Sequence, residues 1–369
     1  MIHLLKYHKV LHMTNIQAIC AQIKTNCNIS DAKYWGTYSL CGLLLRLREL
    51  YRAEMGLMPW ERLLQKDVGE WINEREALWR EIEGRNLENI SVNGDEYGPF
   101  EVERINSVLN AEGLLYGAGF GLYMKPVFFA TDIISHRKVD GFDVYIAGSE
   151  HARELSDYPA MLQNNTIIAR VDITRLLLWN RFEEFRVKKT KCKLSFAFSE
   201  YGIPQRAEPD DDLHEKISGI ALSEAETYVY HELGEAYEGR RLGDRWKTFL
   251  TNLPHSQSEV FARAVKDILS DTAEKGMLPY IIERRNGGSL GFYNVFLSGF
   301  RKIIFPEMVA AFQAFSENGD WGEIERARTS GYRNAADYAD RLLSIYEKNL
   351  SQPGVVAREI EEEIMKKIA

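Results

Sequence analysis

One block of strand-like sequence interrupts a chain that is otherwise patterned as helix. Between Leu114 and Gly148, glycines alternate with aromatic and β-branched residues, a composition typical of strands and turns. Turn residues at 138–141 and at Gly148 leave only short connections, and short connections favour antiparallel pairing. The block therefore predicts three or four mostly antiparallel strands.

Three alternating glycines in this block, Gly117, Gly119 and Gly121, invite comparison with a phosphate-binding loop. Such a loop must open a helix whose N-terminus binds the phosphate, whereas here we expect a strand to follow. We therefore predict that these glycines let the sheet bend or pack closely.

The chain before this block, from residue 14 to residue 84, is patterned as helix. Ser30 and Asp31 are predicted to cap a leucine-rich helix that ends at Gly56. Pro59 is predicted to begin a second helix that runs to about Glu83. Two long helices joined by a short turn predict a helical hairpin.

The chain after the block is mixed at first and then helical. We expect Ser149 to cap a short helix over residues 150–155, an amphipathic helix over 172–188 and a further strand over 193–203. The proline-rich, acidic stretch 204–212 is the best candidate for a linker. From there to the end the pattern is helical.

These elements predict an α+β fold that is predominantly α. It comprises an N-terminal helical hairpin, a small antiparallel sheet in the middle and a C-terminal helical bundle. The predicted regions are 1–88, 89–208 and 209–369, since 369 residues suffice for two or three domains.

Composition narrows the class of protein. A net charge of -8 argues against a dedicated nucleic-acid binder, and no apolar run is long enough for a membrane span. The cysteines (Cys20, Cys27, Cys41 and Cys192) form no C-x-x-C pair and follow no signal peptide, which indicates reduced thiols in the cytoplasm. The composition is compatible with a homo-oligomer. No motif in the sequence identifies a substrate, either a small molecule or a peptide.

Potential metal ligands are densest between Ser223 and Trp246. His231, Glu232 and Glu235 form an H-E-x-x-E spacing, and Ser223 with Glu226 is predicted to begin the helix that carries them. Residues four apart share a helical face, so His231 and Glu235 can bind one ion. An imidazole nitrogen and a carboxylate oxygen suit zinc, iron or manganese.

Glu232 resembles the glutamate of H-E-x-x-H metalloproteases, which activates a metal-bound water. Here Glu235 replaces the second histidine, so protease activity does not follow. We predict Glu232 as the catalytic base or as a further ligand of a metal-dependent hydrolase.

Completing ligands are predicted on the next long helix, at Asp267 and Asp271, with Glu274 extending the same face. His255 lies at the intervening turn, while Glu150 and His151 are more distant candidates. Gly234 costs helix stability, which suggests that another backbone or a ligand approaches closely there.

Two alternatives remain open. The same residues could form an ion-paired network in a non-enzymatic helical interaction or scaffold protein. A small anionic ligand could instead bind between the sheet and the basic N-terminal helix, near the polar run that contains Glu150 and His151, through Arg46, Arg48 or Arg153.

Two runs, ISDAKYWGTYSLCGLLLRLRELY and YHELGEA, together resemble an uncharacterised prokaryotic protein family over most of the chain. The resemblance implies no known activity and transfers no catalytic role. It favours a cytosolic protein of bacteria or archaea.

Overall fold

The structure, a computed structural model, describes residues 2–188, 193–253, 256–350 and 352–368, with side chains described from residue 16 onward except at 353 and 368. The chain divides into two compact units, Met1–Ile173 and Thr174–Ala369. Cys192 and His255 lie outside the described residues, whereas Cys20, Cys27 and Cys41 are free thiols.

The first unit combines helices with the strands of two sheets. In chain order its elements are α1 (Ile2–Tyr34), α2 (Leu40–Met55), α3 (Gln65–Ile82), β1 (Ile90–Val92), β2 (Asp95–Tyr97), α4 (Val102–Leu109), β3 (Leu114–Phe120), β4 (Pro126–Val139), β5 (Phe142–Arg153), β6 (Ala160–Gln163) and β7 (Thr166–Arg170).

Among the described residues of the second unit, every regular element is a helix. Beginning with the helix that crosses the boundary, its elements are α5 (Val171–Val187), α6 (Lys193–Glu200), α7 (Asp211–Asn252), α8 (Gln257–Thr272), α9 (Met277–Arg284), α10 (Gly287–Phe296), α11 (Gly299–Ile304), α12 (Pro306–Asn318), α13 (Trp321–Lys348), α14 (Pro353–Ile360), a π-helical turn (Glu361–Met365) and α15 (Lys366–Ile368). The predicted fold class, α+β with helix predominant, is confirmed.

The larger sheet has the strand order β3-β4-β5-β7-β6 and is antiparallel except where β5 pairs with β7. The β4–β5 hairpin turns at Asp140 and Gly141, both with positive φ, as a two-residue turn of this hand requires. A Cβ built on Gly117 would overlap the ring of Phe129 on the neighbouring strand. The prediction that glycine allows close packing in this sheet is confirmed at that position.

The N-terminal helices and the larger sheet share one core in the first unit. Ile19 and Ile23 of α1 are buried against Tyr116 of β3 and Phe128 of β4. The predicted division after residue 88 falls inside this unit, and the predicted division at 208 falls inside the second unit.

The helical hairpin is confirmed, although its helices begin elsewhere than predicted. Tyr51 of α2 contacts Trp71 of α3 edge to face, and Gly56 ends α2 in the left-handed region. Helix α2 is capped by Ser39, because Asp31 lies inside α1 and its carboxylate accepts from the amide of Leu155 instead.

Pro59 does not begin the second helix of the hairpin. Helix α3 starts only at Gln65, after a loop that is held by Arg52. The Arg52 guanidinium donates to the carbonyl oxygens of Met58 (2.8 Å) and Glu61 (2.9 Å). These bonds fix the loop backbone in a non-helical path.

Two further local predictions were wrong. Residues 150–155 do not form a helix, because β5 continues to Arg153 with Glu150 paired to Thr131 of β4. Residues 193–203 do not form a strand. Leu194, Ala197 and Phe198 are buried at helical spacing, so this segment packs as α6.

Helix α7 also starts earlier than the predicted cap at Ser223. Its N-cap is Asp210, whose carboxylate accepts from the amide of Leu213 at 2.8 Å. Ser223 lies in mid-helix because Ala221 and Ala225 on either side of it are buried in a continuous apolar face. No helix among the described residues is long and apolar enough to cross a membrane.

Candidate metal centre

The site lies where α7 and α8 run antiparallel with their backbones in close approach. A Cβ built on Gly234 of α7 would overlap the carbonyl oxygen of Ser270 of α8. Only glycine permits this approach, so the predicted reason for a glycine inside the motif is confirmed. The approach brings the face that carries His231 and Glu235 opposite the face that carries Asp267.

His231, Glu235 and Asp267 each offer one ligand atom, and these atoms all lie within 4.8 Å of one another. Ligand atoms in a tetrahedral site are about 3.3–3.6 Å apart, since each bond is roughly 2.0–2.2 Å long. Side-chain adjustments of up to about 1 Å would bring all three atoms to the same ion. The two α7 residues come from consecutive turns, as their spacing predicted.

Asp271 occupies a different position from the other predicted ligands. One carboxylate oxygen lies 2.7 Å from Nδ1 of His231, and the other accepts from Nη2 of Arg301 at 2.6 Å. Its side chain is 0 % exposed. Both oxygens are engaged, so Asp271 orients the imidazole and leaves Nε2 of His231 as the available nitrogen.

Two cations flank the carboxylates, and the sequence interpretation had named neither. Lys266 of α8 places Nζ 3.0 Å from Oε2 of Glu235. Arg301 of α11 places Nε 3.9 Å from Oδ2 of Asp267. Lys266 adjoins Asp267 in the chain and could have been noticed, whereas no local pattern links Arg301 to this helix pair.

Solvent reaches the cluster. The side chains of His231, Glu235 and Asp267 are 19 %, 24 % and 32 % exposed, while Asp271 behind them is closed off. The three candidate ligands thus line a surface that an ion can enter, and the orienting carboxylate lies in the protein interior.

Charge interactions set the protonation of the His231–Asp271 pair. Burial alone would lower the pKa of His231, but the Asp271 carboxylate beside it raises that pKa to about 10. Burial likewise opposes ionisation of Asp271, yet the guanidinium of Arg301 and the imidazolium hold its pKa below the ordinary value. The metal-free pair is therefore an imidazolium–carboxylate pair at neutral pH.

The pKa values of the two candidate carboxylate ligands, Glu235 and Asp267, shift in opposite directions. Burial works against ionisation of Glu235, but the ammonium of Lys266 outweighs it and the pKa of Glu235 is lowered. Burial dominates at Asp267 and raises its pKa despite Arg301. A divalent ion would favour the ionised form of both.

Glu232 is buried beside the ligands. Burial, together with the negative charge of Glu235, raises its pKa to about 7, partly offset by His231. A carboxyl group with this pKa is populated in both protonation states near neutral pH, so it can accept or donate a proton.

The other predicted site residues are not gathered into one cluster. Glu274 is exposed beyond the end of α8, and His255 lies outside the described residues. The five candidates of the first unit each have a partner there: Arg46 with Asp157, Arg48 with Glu49, Glu150 with Arg170, His151 with Asp132, and Arg153 with the carbonyl of Glu49.

Comparison with known families agrees with the division of the chain. Residues 18–170 match the N-terminal domain, and residues 175–367 the C-terminal domain, of a family of unknown function, DUF6866. The resemblance to an uncharacterised family is confirmed. No curated protein and no solved structure matches the chain significantly.

Proposed function

Because the chain belongs to DUF6866, a family of unknown function, we propose its function from the site alone: it binds a divalent ion of zinc, manganese or iron through His231, Glu235 and Asp267. The observation that carries the proposal is the convergence of three ligand atoms within 4.8 Å on a solvent-reachable surface. One imidazole and two carboxylates supply the nitrogen and oxygen donors that these metals accept.

The arrangement behind His231 supports this assignment. Histidines that bind metals usually donate their other ring nitrogen to a carboxylate, which fixes the tautomer and strengthens the ligand. Nδ1 of His231 makes this contact with Asp271, and the guanidinium of Arg301 donates to the other oxygen of Asp271. Asp271 is therefore the orienting partner in the proposal, and the direct ligands are the other three residues.

The charge balance also favours a cation. Four carboxylates (Glu232, Glu235, Asp267 and Asp271) surround two fixed cations (Lys266 and Arg301), which leaves a charge of −2 when all four are ionised and His231 is neutral. A divalent ion would bring this local charge to zero.

A metal-dependent hydrolase is the more specific proposal. Glu232 lies within electrostatic reach of all three ligands and would serve as the base that takes a proton from metal-bound water. Glu232→Gln is then expected to keep metal affinity within about threefold while abolishing turnover of an activated ester such as p-nitrophenyl phosphate. Loss of metal binding in this variant would instead make Glu232 a ligand.

An ion-paired network is the rival function, and Lys266 is the observation that favours it. Its ammonium already neutralises Glu235, and Arg301 approaches Asp267. In an interaction or scaffold protein these pairs would simply join α7, α8 and α11. The two proposals differ in whether a metal ion displaces the ammonium of Lys266 from Glu235.

Elemental analysis of protein purified without a histidine tag, followed by zinc, manganese and iron(II) titration, decides between them. The metal proposal expects close to one equivalent and its loss in His231→Ala. Glu274→Gln is the matched control, because it removes an exposed acid just beyond α8. Less than about a tenth of an equivalent, unchanged on titration, would favour the network.

A further inference from the structure

The two cationic side chains at the proposed metal centre, Lys266 and Arg301, differ in how completely their donors are hydrogen-bonded. Lys266 is engaged by Glu235, and Arg301 uses Nη2 for Asp271. Nε of Arg301 is buried and makes no hydrogen bond within the described part of the chain. It lies 3.9 Å from Asp267, beyond hydrogen-bonding distance. A buried guanidinium N–H without an acceptor is costly. The Arg301 side chain as a whole is 26 % exposed, so an acceptor oxygen from outside the chain can approach its guanidinium.

Metal binding would also free hydrogen-bond donors of Lys266 and Arg301 at the same place. A divalent ion that takes Glu235 and Asp267 draws their charge away from Lys266 and Arg301. The ammonium and the guanidinium would then lie beside the ion with only part of their original partners. Both side chains are partly exposed, which leaves them reachable from solvent.

We propose that the metal-loaded centre binds an anionic oxygen group of its substrate, a phosphate or a carboxylate, between the ion and the side chains of Lys266 and Arg301. The inference rests on the proposed function. Arginine presents donors in a planar fork that matches such groups, and lysine adds a point charge. In the metal-free protein the carboxylates of Glu235 and Asp267 lie beside Lys266 and Arg301 and oppose a second anion, so we expect metal to bind first.

Thermodynamic linkage between metal and anion binding makes the proposed order, metal first and anion second, measurable. If the ion improves the affinity for an anion, the anion must improve the affinity for the ion by the same factor. We expect inorganic phosphate to tighten Mn²⁺ binding about tenfold, a coupling within the usual range. The readout is the electron paramagnetic resonance signal of free Mn²⁺, with a protein-free blank at each phosphate concentration.

Lys266→Gln separates the two roles. It removes a cation that competes for Glu235, so Mn²⁺ alone is expected to bind at least as tightly as in the wild type. It also removes an anion partner, so the effect of phosphate is expected to fall below about threefold. Lys302→Gln is the control, since Lys302 is an exposed lysine adjacent to Arg301, and it should retain the tenfold effect.

Arg301→Lys provides a second variant that keeps the charge and removes the Nε donor, and it should also lose most of the coupling. Acetate in place of phosphate identifies whether carboxylates share the site. Mn²⁺ binding that phosphate does not tighten, equal phosphate binding without metal, or full coupling in Lys266→Gln would each overturn the inference while leaving the metal site intact. Failure of zinc, manganese and iron(II) alike to bind, with or without phosphate, would reject the proposed function itself.

Discussion

Each unit of the molecule contains a cluster in which carboxylates surround a lysine, and the two clusters differ in access. In the first unit, Lys125 bonds to Asp31 at 2.9 Å and to Glu154, and the three side chains are at most 5 % exposed. In the second unit, Lys266 and Glu235 are open to solvent beside a histidine. Similar charges thus form a closed structural network in one unit and an accessible candidate site in the other.

The closed cluster shows what a purely structural ion pair looks like in this chain. Lys125 also donates to Oγ of Ser156 at 3.2 Å, and Asp31 accepts from the amide of Leu155. Lys125 therefore has three side-chain partners within the protein, and such partners are what a buried charge needs to be tolerated. The open cluster differs because it adds an imidazole and because Lys266, Glu235 and His231 are partly exposed to solvent.

The largest expected effect comes from breaking the closed cluster. Lys125→Met would leave the carboxylates of Asp31 and Glu154 buried without their cation, which typically costs about 3–5 kcal/mol of unfolding free energy. Denaturant unfolding measures the loss. Lys138→Met, at an exposed pair with Asp143, is the control and should cost less than about 1 kcal/mol. Equal costs for both variants would mean that the closed cluster contributes no special stability.

The next effect tests the helix contact on which the open cluster depends. Gly234→Ala places a methyl group against the carbonyl of Ser270 and must push α7 and α8 apart, at a cost of about 1–3 kcal/mol. Metal affinity should fall with it, because His231 moves away from Asp267. Gly239→Ala, in the same helix with open space at its Cβ, should instead stabilise by up to about 1 kcal/mol. A neutral Gly234→Ala would exclude a tight helix contact.

How much of the site could be predicted from the sequence depends on how far apart in the chain the interacting residues lie. His231 and Glu235 share a face because helix periodicity is local, and Asp267 was reachable by the same reasoning on the next helix. The position of Asp271 behind the imidazole depends on how closely the helices approach at Gly234, which periodicity does not encode. Arg301 comes from a third helix, so only tertiary packing reveals it.

The same distinction explains the fold predictions. The fold class, the hairpin and the close sheet packing at Gly117 follow from patterns over a few residues. The predicted cap at Ser223 was wrong because the apolar face of α7 continues on both sides of it. The predicted helix at 150–155 was wrong because pairing with β4 outweighs a local capping signal, as tertiary context often does.

A third effect separates Asp271 from the direct ligands. Asp271→Asn keeps the shape but removes the charge that orients His231, and such changes in outer-sphere partners weaken metal binding by about 10- to 100-fold. His231→Ala should abolish binding altogether. Asp31→Asn in the closed cluster should leave metal affinity unchanged. Calorimetric titration with Zn²⁺ ranks the three, and complete loss in Asp271→Asn would make Asp271 a ligand.

The smallest effect is a pH dependence of metal-free protein, and its sign follows from His231. The folded-state pKa of about 10 lies above the ordinary value of about 6.5, so protonation stabilises the fold. This contribution is fully present below pH 6.5 and is lost as the pH rises toward 10. In the middle of that window the loss approaches about 1.4 kcal/mol per pH unit, because the folded state keeps the proton of His231 and the unfolded state has lost it.

Comparison of wild type with His231→Gln isolates this contribution from other titrating groups. Their difference in unfolding free energy, measured in a metal chelator, should shrink by about 1.3 kcal/mol between pH 7.5 and 8.5. A pH-independent His231→Gln difference would mean that the imidazole is neutral beside Asp271, and metal binding would then release no proton from it.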